Sequence, residues 1–310
     1  QGDKLPNQKR PVVLVAHDTR NTSVRFSEDV AEELTASGCE VVFTPDNRAI
    51  STPVVSFLIR RYGFDGGVMI TASHNPKDYN GYKAYNNTGT QLSVEQSKEV
   101  SKLIPGLDEV MGVTVRPNRK LLKYLPASKL DPYYEDIQDH LGFNHVEHCD
   151  CPIIFTRHHG TSSITGPKFL SLLGHHIEPC YRQCVEDGNF TFSPNLNPED
   201  PASFALAEET AKKRESDIII ANDPDGDRIG VAVKHKNKWV YLTGNELGIL
   251  VCQYVLRYNK NRSKMPVIIS TYVSNNLVNR IVNEYSGVVL RTGTGFKNIG
   301  SAIETINLNS

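Results

Sequence analysis

Ser73 lies in the stretch Thr71 to Lys83, TASHNPKDYNGYK, directly behind the apolar run Val68-Met69-Ile70. A strand that empties into a polar, turn-forming loop is how α/β proteins present a nucleophile at the carboxyl edge of a sheet. Ser73 is therefore the candidate nucleophile, although a serine there also fits a plain strand-end cap. Far downstream, Asp223, Asp225 and Asp227 alternate in NDPDGDR, separated by a proline and a glycine that bend the backbone. Such a loop can turn several hard oxygens toward one centre, which suits a divalent cation such as Mg2+. The D-x-D-x-D start also opens a calcium EF-hand loop, but that motif places glycine at position 6 and glutamate at position 12. Here those positions hold Arg228 and Lys234, and an apolar strand rather than a helix comes before the loop, so the EF-hand fails. The remaining alternative is a solvated acidic turn.

Carboxylates alone leave a Mg2+ site incomplete, because the ion prefers octahedral oxygen ligation and often takes phosphate as a partner. A phosphorylated Ser73 would supply that oxygen and its charge. Lys83 could neutralise the phosphate, or move a proton if its pKa were lowered. His74 has two readings, proton transfer or a hydrogen-bond prop for the loop. Arg20, Arg228 and Lys297 each fall in a polar loop after a strand, where cations could hold an anionic substrate, although each alone also fits a surface residue. Gly293 and Gly295, on either side of Thr294, let backbone N–H groups approach an anion. His158-His159-Gly160 fits either an edge-loop turn or a site, and the lone Trp239 fits packing.

These residues need elements to position them. Pro11 to Val15 reads as a buried parallel strand, and Phe26, Val30 and Leu34 mark a helix that Gly38 stops. Val41-Val42-Phe43 is the next strand. Ser51, Thr52 and Pro53 give cap and first-turn signals for a helix through Leu58, and Gly67 to Ile70 returns as a strand. That β-α-β-α-β order favours a parallel sheet covered by helices, with the loops after Val15 and Ile70 at one edge. Ser93 to Leu103 and Asp131 to Leu141 read as helices, and Pro105 to Arg119 as extended or looping. A second alternating region follows: strand Ile153 to Phe155, helices Pro167 to Leu173 and Ala202 to Lys213, and strand Ile218 to Ala221, which runs straight into the aspartates. A third has helices Asn245 to Tyr258 and Val273 to Tyr285, and strands Val267 to Ile269 and Val288 to Leu290. We expect an α/β protein of repeated three-layer domains with mixed, mainly parallel sheets. Their spans are 1–122, 123–240 and a shortened 241–310.

With 34 basic and 35 acidic residues among 310, the formal charge of -1 argues against a nucleic-acid or membrane-surface partner. No apolar run approaches the roughly 18 residues of a membrane span, and Gln1 to Arg10 lacks a signal-peptide core, so a cytoplasmic location is expected. The six cysteines, including Cys149, Cys151, Cys180 and Cys184, lack zinc-site spacing and read as reduced thiols. The N-x-S/T triplets at Asn21, Asn86, Asn189 and Asn261 matter only in a secreted chain.

TASHNPKDYNGYK together with NDPDGDR resembles the α-D-phosphohexomutases, the superfamily of phosphoglucomutase, phosphomannomutase, phosphopentomutase and phosphoglucosamine mutase. HDTRNTS, FTRHHGTS, EDGNF with NPED, LTGNELG, STYVS and GTGFK add to the likeness, so it covers nearly the whole chain. The resemblance implies four α/β domains around a cleft, with the first three alike. It implies Ser73 as the phosphoserine, a metal set of Ser73, Asp223, Asp225 and Asp227, and catalytic or phosphate-stabilising Lys83 and Arg228. It also implies substrate contacts in the loop of Thr294, Gly295 and Lys297. The activity implied is exchange of sugar 1-phosphate and sugar 6-phosphate, glucose first, with Mg2+ as cofactor and a sugar bisphosphate as activator. Phosphomannomutase and phosphopentomutase are the alternatives within the superfamily, and a non-catalytic module that binds metal and phosphosugar is the alternative outside catalysis. FTRHHGTS departs from the usual H-G-V-G at two positions. The family's opening strand and first loop are missing ahead of Gln1, and the sugar-selecting loop and fourth domain are missing after Ser310, so the sequence reads as part of an enzyme.

Overall fold

Val12 to His17 is a six-residue run that is buried from Leu14 onward, as a strand inside a sheet covered on both faces must be. In the computed structural model, which describes residues 10–111, 115–141, 151–162, 165–172, 174–258 and 264–308, this run is β1 (Val12–His17). It is followed by α1 (Ser23–Ala36), β2 (Glu40–Phe43), α2 (Thr52–Tyr62), β3 (Gly66–Ile70), β4 (Tyr82–Tyr85), α3 (Val94–Lys102), α4 (Leu107–Met111) and β5 (Leu122–Tyr124). These strands form a sheet in the order β4-β3-β1-β2-β5, parallel except where β4 turns back along β3. Side chains alternate across it. Leu14, Ala16 and Met69 pack against Val54, Val55, Leu58 and Ile59 of α2, while Val15, Val41 and Val68 pack with Ala31 of α1. The result is a three-layer α/β/α unit.

A second unit contains α5 (Asp131–Leu141), β6 (Ile153–Thr156), α6 (Thr165–Leu172), β7 (Ile177–Pro179), α7 (Ala205–Arg214), β8 (Ile218–Asn222), β9 (Ile229–His235) and β10 (Lys238–Leu242). Its sheet runs β10-β9-β8-β6-β7, with β6, β7 and β8 parallel and β9 and β10 antiparallel. Trp239 packs against this core with Leu206 and Tyr241, as its packing reading requires. A third unit has α8 (Gly244–Tyr258), β11 (Val267–Thr271), α9 (Leu277–Glu284), β12 (Val288–Thr292) and α10 (Phe296–Leu308), with β11 and β12 parallel. Its helix α10 leans on the first unit, where Glu304 accepts hydrogen bonds from Asn86 Nδ2 (3.1 Å) and Thr88 Oγ1.

Several expectations change. The span Pro105 to Arg119, read as extended or looping, contains α4, and the helix expected from Val273 begins at Leu277. The β9-β10 hairpin has no counterpart in the sequence reading; its turn puts Lys236 and Asn237 at φ 49° and 60°, a two-residue bend without the usual glycine. Asn21 and Asn86 use their amide nitrogens in contacts between units, to Asn189 and Glu304. Cys39, Cys180, Cys184 and Cys252 are free thiols. Leu173, Cys149 and Asn261 lie outside the described residues. Among the described residues no helix is long and apolar enough to cross a membrane.

The turn after β6 braces the loop after β8. Thr161 N–H donates to the Pro224 carbonyl at 2.8 Å, and a Cβ on Gly160 would stand 2.3 Å from Pro224 Cα. Only glycine allows that approach. Gly160→Ala is expected to cost about 1–3 kcal/mol in urea unfolding, because the backbone of the aspartate loop must move. Gly106→Ala, where a Cβ meets nothing within 4 Å, should stay within about 0.5 kcal/mol of wild type.

Candidate active site

Ser73 follows β3 by three residues and has φ 52°, a left-handed backbone that a serine adopts only when its surroundings impose it. Its N–H donates to Thr71 Oγ1 at 2.9 Å, and Asn75 N–H closes a turn onto the Ala72 carbonyl at 3.0 Å. The loop's far end returns at Gly81, whose carbonyl accepts from Thr71 N–H at 3.1 Å and where a Cβ would lie 2.7 Å from the Thr71 carbonyl oxygen.

Arg20 grips the loop from beneath. Its Nη1 donates to the carbonyls of Pro76 (2.7 Å) and Tyr79 (3.0 Å), and its Nη2 to those of Ser73 (2.7 Å) and Asn75 (2.7 Å). Its Nε pairs with Asp18 Oδ2 at 3.0 Å, with both side chains fully buried, and Phe190 of the second unit covers the guanidinium at 5.2 Å. The substrate contact expected of Arg20 is therefore replaced by a structural one. The cation faces inward because its donors are engaged by loop carbonyls that have no other partner of that strength.

The aspartate loop leaves the end of β8 and meets this serine across the seam between the two sheets. Ser73 Oγ donates to Asp223 Oδ2 at 2.8 Å and lies 3.3 Å from His74 Nδ1. Asp223 Oδ1 accepts the N–H groups of Asp227 (3.1 Å) and Arg228 (3.0 Å), which curls the loop around it. Lys83 sits opposite Met69 on the returning strand β4, which brings its Nζ to Asp225 Oδ2 (2.7 Å) and Asp227 Oδ2 (3.1 Å). Ligand oxygens of Asp223, Asp225 and Asp227 lie within 4.8 Å of one another, and the first two residues are completely buried.

Burial and the charges of Asp225 and Asp227 hold Asp223 well above the usual carboxylate range. Burial, the largest single influence, would raise Asp225 too, but the charge of Lys83 together with hydrogen bonds from Asp223, Lys83 and Thr52 outweighs it and keeps this carboxyl low. Burial likewise opposes the charge on Lys83, yet Asp225 and Asp227 overcome it and raise the ammonium's pKa. The condition for proton transfer by Lys83, a lowered pKa, is thus not met: Lys83 is a fixed positive charge. For His74, burial first and then the nearby Arg228 cation lower the pKa, so the ring is mostly neutral at neutral pH.

One oxygen shows what this cluster lacks. Asp225 Oδ1 is buried and has no hydrogen-bond partner. An unpaired carboxylate oxygen in the interior is costly, and Lys83 offsets only one of the three acidic groups. Hard oxygens converging with a deficit of positive charge fit a small divalent cation such as Mg2+.

Arg228 is exposed at the rim of the cluster. Thr294, Gly295 (φ 102°) and Lys297 form the exposed turn into α10, and no hydrogen bond or ion pair joins them to Ser73 or the aspartates. His158 and His159 are fully buried. His159 Nδ1 donates to the Val185 carbonyl at 2.9 Å and its Nε2 accepts from Phe192 N–H at 3.1 Å, so this ring is a brace. His158 touches Ser193 Oγ at 3.2 Å and its Nε2 is unpartnered. The sequence reading missed Asp18 and Thr71 as supports; their one signal was a place next to Arg20 and Ser73.

Comparison with known proteins bears on this geometry. Residues 2–111, 131–237 and 243–309 match the phosphoglucomutase/phosphomannomutase alpha/beta/alpha domains I, II and III, in that order. The chain belongs to the α-D-phosphohexomutase superfamily. It is 40% identical over 306 residues to a phosphomannomutase of Mycoplasmoides pirum, covering 98% of this chain and 56% of that one. It is 33% identical over 305 residues to a phosphoglucomutase of Staphylococcus aureus, covering 96% and 54%. A solved phosphoglucomutase/phosphomannomutase family protein from Burkholderia thailandensis shares the fold, with a TM-score of 0.72 at 23% identity, over 95% of this chain and 60% of that one. The chain spans about half the length of the curated relatives it matches.

Two measurements probe the supports. Arg20→Met leaves Asp18 Oδ2 and the carbonyls of Ser73, Asn75 and Tyr79 without their charged donor, so a stability loss of about 3–5 kcal/mol is expected in urea titration, and Arg20→Lys should recover only part of it because a lysine offers three donors. Burial, with a smaller push from His159, brings His158 down to about 4. Between that value and the ordinary 6.5 or so, the unfolded chain binds a proton that the folded chain refuses, so stability falls as pH drops through this window. The His158 contribution should approach about 1.4 kcal/mol per pH unit and vanish in His158→Asn, as read from the difference in urea midpoints at pH 4.5 and 7.

Proposed function

We propose that the intact protein is a phosphosugar mutase that interconverts sugar 1-phosphate and sugar 6-phosphate through a phosphorylated Ser73, with glucose as its sugar. The observation that carries this reading is the 2.8 Å contact of Ser73 Oγ with Asp223, inside a triad that also holds Lys83. A serine poised against three carboxylates makes little sense as an unassisted nucleophile. As a phosphoryl carrier beside a cation site it does.

Asp223, Asp225, Asp227 and an oxygen on Ser73 would hold Mg2+, which when bound supplies positive charge to the transferring phosphoryl group. Lys83 keeps a second positive charge beside Asp225 and Asp227, where it offsets the charge on the three oxygens of that group. In the step toward the sugar, the O–P bond at Ser73 breaks and one forms at the sugar oxygen. The sugar hydroxyl's proton ends on Ser73 Oγ, and His74 Nδ1 is the neutral group within reach to pass it. Arg228 at the rim would hold the phosphate that does not react, and the turn of Thr294, Gly295 and Lys297 would offer donors at the start of α10. A sugar bisphosphate that reorients between the two half-reactions would serve as the activator. We place the reaction in the cytoplasm.

Mannose phosphate is the second reading, favoured by the name of the 40% identical relative. The two sugars separate on the ratio of kcat/KM for glucose 1-phosphate and mannose 1-phosphate, which we expect to favour glucose by at least about tenfold. Intact-mass measurement should show a phosphate adduct on the wild type and none on Ser73→Ala, whose turnover should fall by about a thousandfold or more. EDTA should abolish activity and added Mg2+ restore it. An unmodified Ser73 together with no conversion of either sugar phosphate would sink the mutase reading and leave a binding module.

A further inference from the structure

Asp225 is the one aspartate of the triad held by hydrogen bonds from a helix of the first unit. Thr52, the first residue of α2, donates twice: its backbone N–H to the Asp225 carbonyl at 2.8 Å, and its Oγ1–H to Asp225 Oδ2 at 2.9 Å. The same Oδ2 accepts Lys83 Nζ at 2.7 Å. With one carboxylate oxygen fixed by two donors, the other, Oδ1, is left buried without a partner.

In sequence, Ser51-Thr52-Pro53 reads as the start of a helix, and α2 does start there. Capping does not account for the hydroxyl, however. The N-cap residue is Ser51, its side chain makes no capping hydrogen bond, and Thr52 Oγ1 turns away from the helix to Asp225. Gly226 adds a second contact at the same place, since a Cβ there would lie 2.8 Å from Ser51 Cβ and 2.7 Å from Ser162 Oγ. The aspartate loop is thus seated in a slot between the α2 N-terminus and the turn after β6.

We propose that Thr52 is a positioning residue for Asp225. It rotates the carboxylate so that Oδ1 alone faces the cation site, and it registers the aspartate loop of the second unit against the unit that carries Ser73. The inference rests on the Mg2+ reading above. Outer hydrogen bonds of this kind orient metal-ligating carboxylates, and their loss typically weakens metal binding by about 10–100-fold.

Thr52→Val keeps the shape, the β-branch and the backbone N–H while removing only the hydroxyl donor, and Thr52→Ser restores that donor. Mg2+ titrated calorimetrically into the intact protein should bind at least about tenfold more weakly to Thr52→Val and within about threefold of wild type to Thr52→Ser. With the sugar phosphate saturating, kcat of Thr52→Val should fall and recover as Mg2+ is raised, while KM for the sugar stays within about twofold. A folded Thr52→Val that binds Mg2+ within twofold of wild type, or a folded Thr52→Ser as weak as Thr52→Val, overturns the proposal. If the wild type takes up no Mg2+, the metal reading falls separately. A crystal structure of metal-free Thr52→Val then decides the positioning claim: a turned Asp225 carboxylate supports it, and an unchanged one overturns it.

Discussion

Three carboxylates within 4.8 Å of one another, two of them fully buried, repel each other in a place where water cannot screen them. Most features near the seam answer that repulsion. Lys83 places one positive charge between two of the carboxylates, and the turn N–H groups of Asp227 and Arg228 face the third. Ser73 donates its hydroxyl to the same third carboxylate. What these donors leave over is one bare oxygen on Asp225 and a surplus of negative charge, which is a request for a cation rather than a defect of folding.

The serine's side of the seam is solved differently. The backbone at Ser73 is in a conformation that serine disfavours, and no single hydrogen bond would hold it there. Arg20 does so by number: four loop carbonyls converge on one guanidinium, whose charge is matched by Asp18 and capped by Phe190. A buried ion pair contributes little as a source of stability, but it defines a geometry sharply because breaking either half is costly. Lys83 then arrives by strand pairing, since the antiparallel return of β4 along β3 sets it across from Met69.

Much of this was readable before the fold was known, and what was not has identifiable causes. Ser73 and the aspartates stand out because reactive residue types cluster within a few positions of an apolar strand, and strand and loop are both local signals. The parallel cores of the first two units follow from apolar runs such as Ile218 to Ile220. The β9-β10 hairpin was invisible because its turn, Lys236-Asn237, lacks the glycine that marks such bends and its strands are only half buried. Arg20 was located but misassigned, since a sequence cannot say whether a cation after a strand points outward or under the next loop. Thr52 was hidden by a true signal. It does begin a helix, and nothing local shows that its hydroxyl serves an aspartate 173 positions away.

The hydrogen bonds across the seam carry one more consequence. Ser73 to Asp223, Thr52 to Asp225, and Lys83 to Asp225 and Asp227 all join the first unit to the second, and they are the same contacts that build the site. A newly made chain whose first sheet has formed has its serine loop in place but no acidic partner, and a second sheet folded alone has its acids without their serine or lysine. The cluster is therefore complete only in chains whose two units have both folded and met in register.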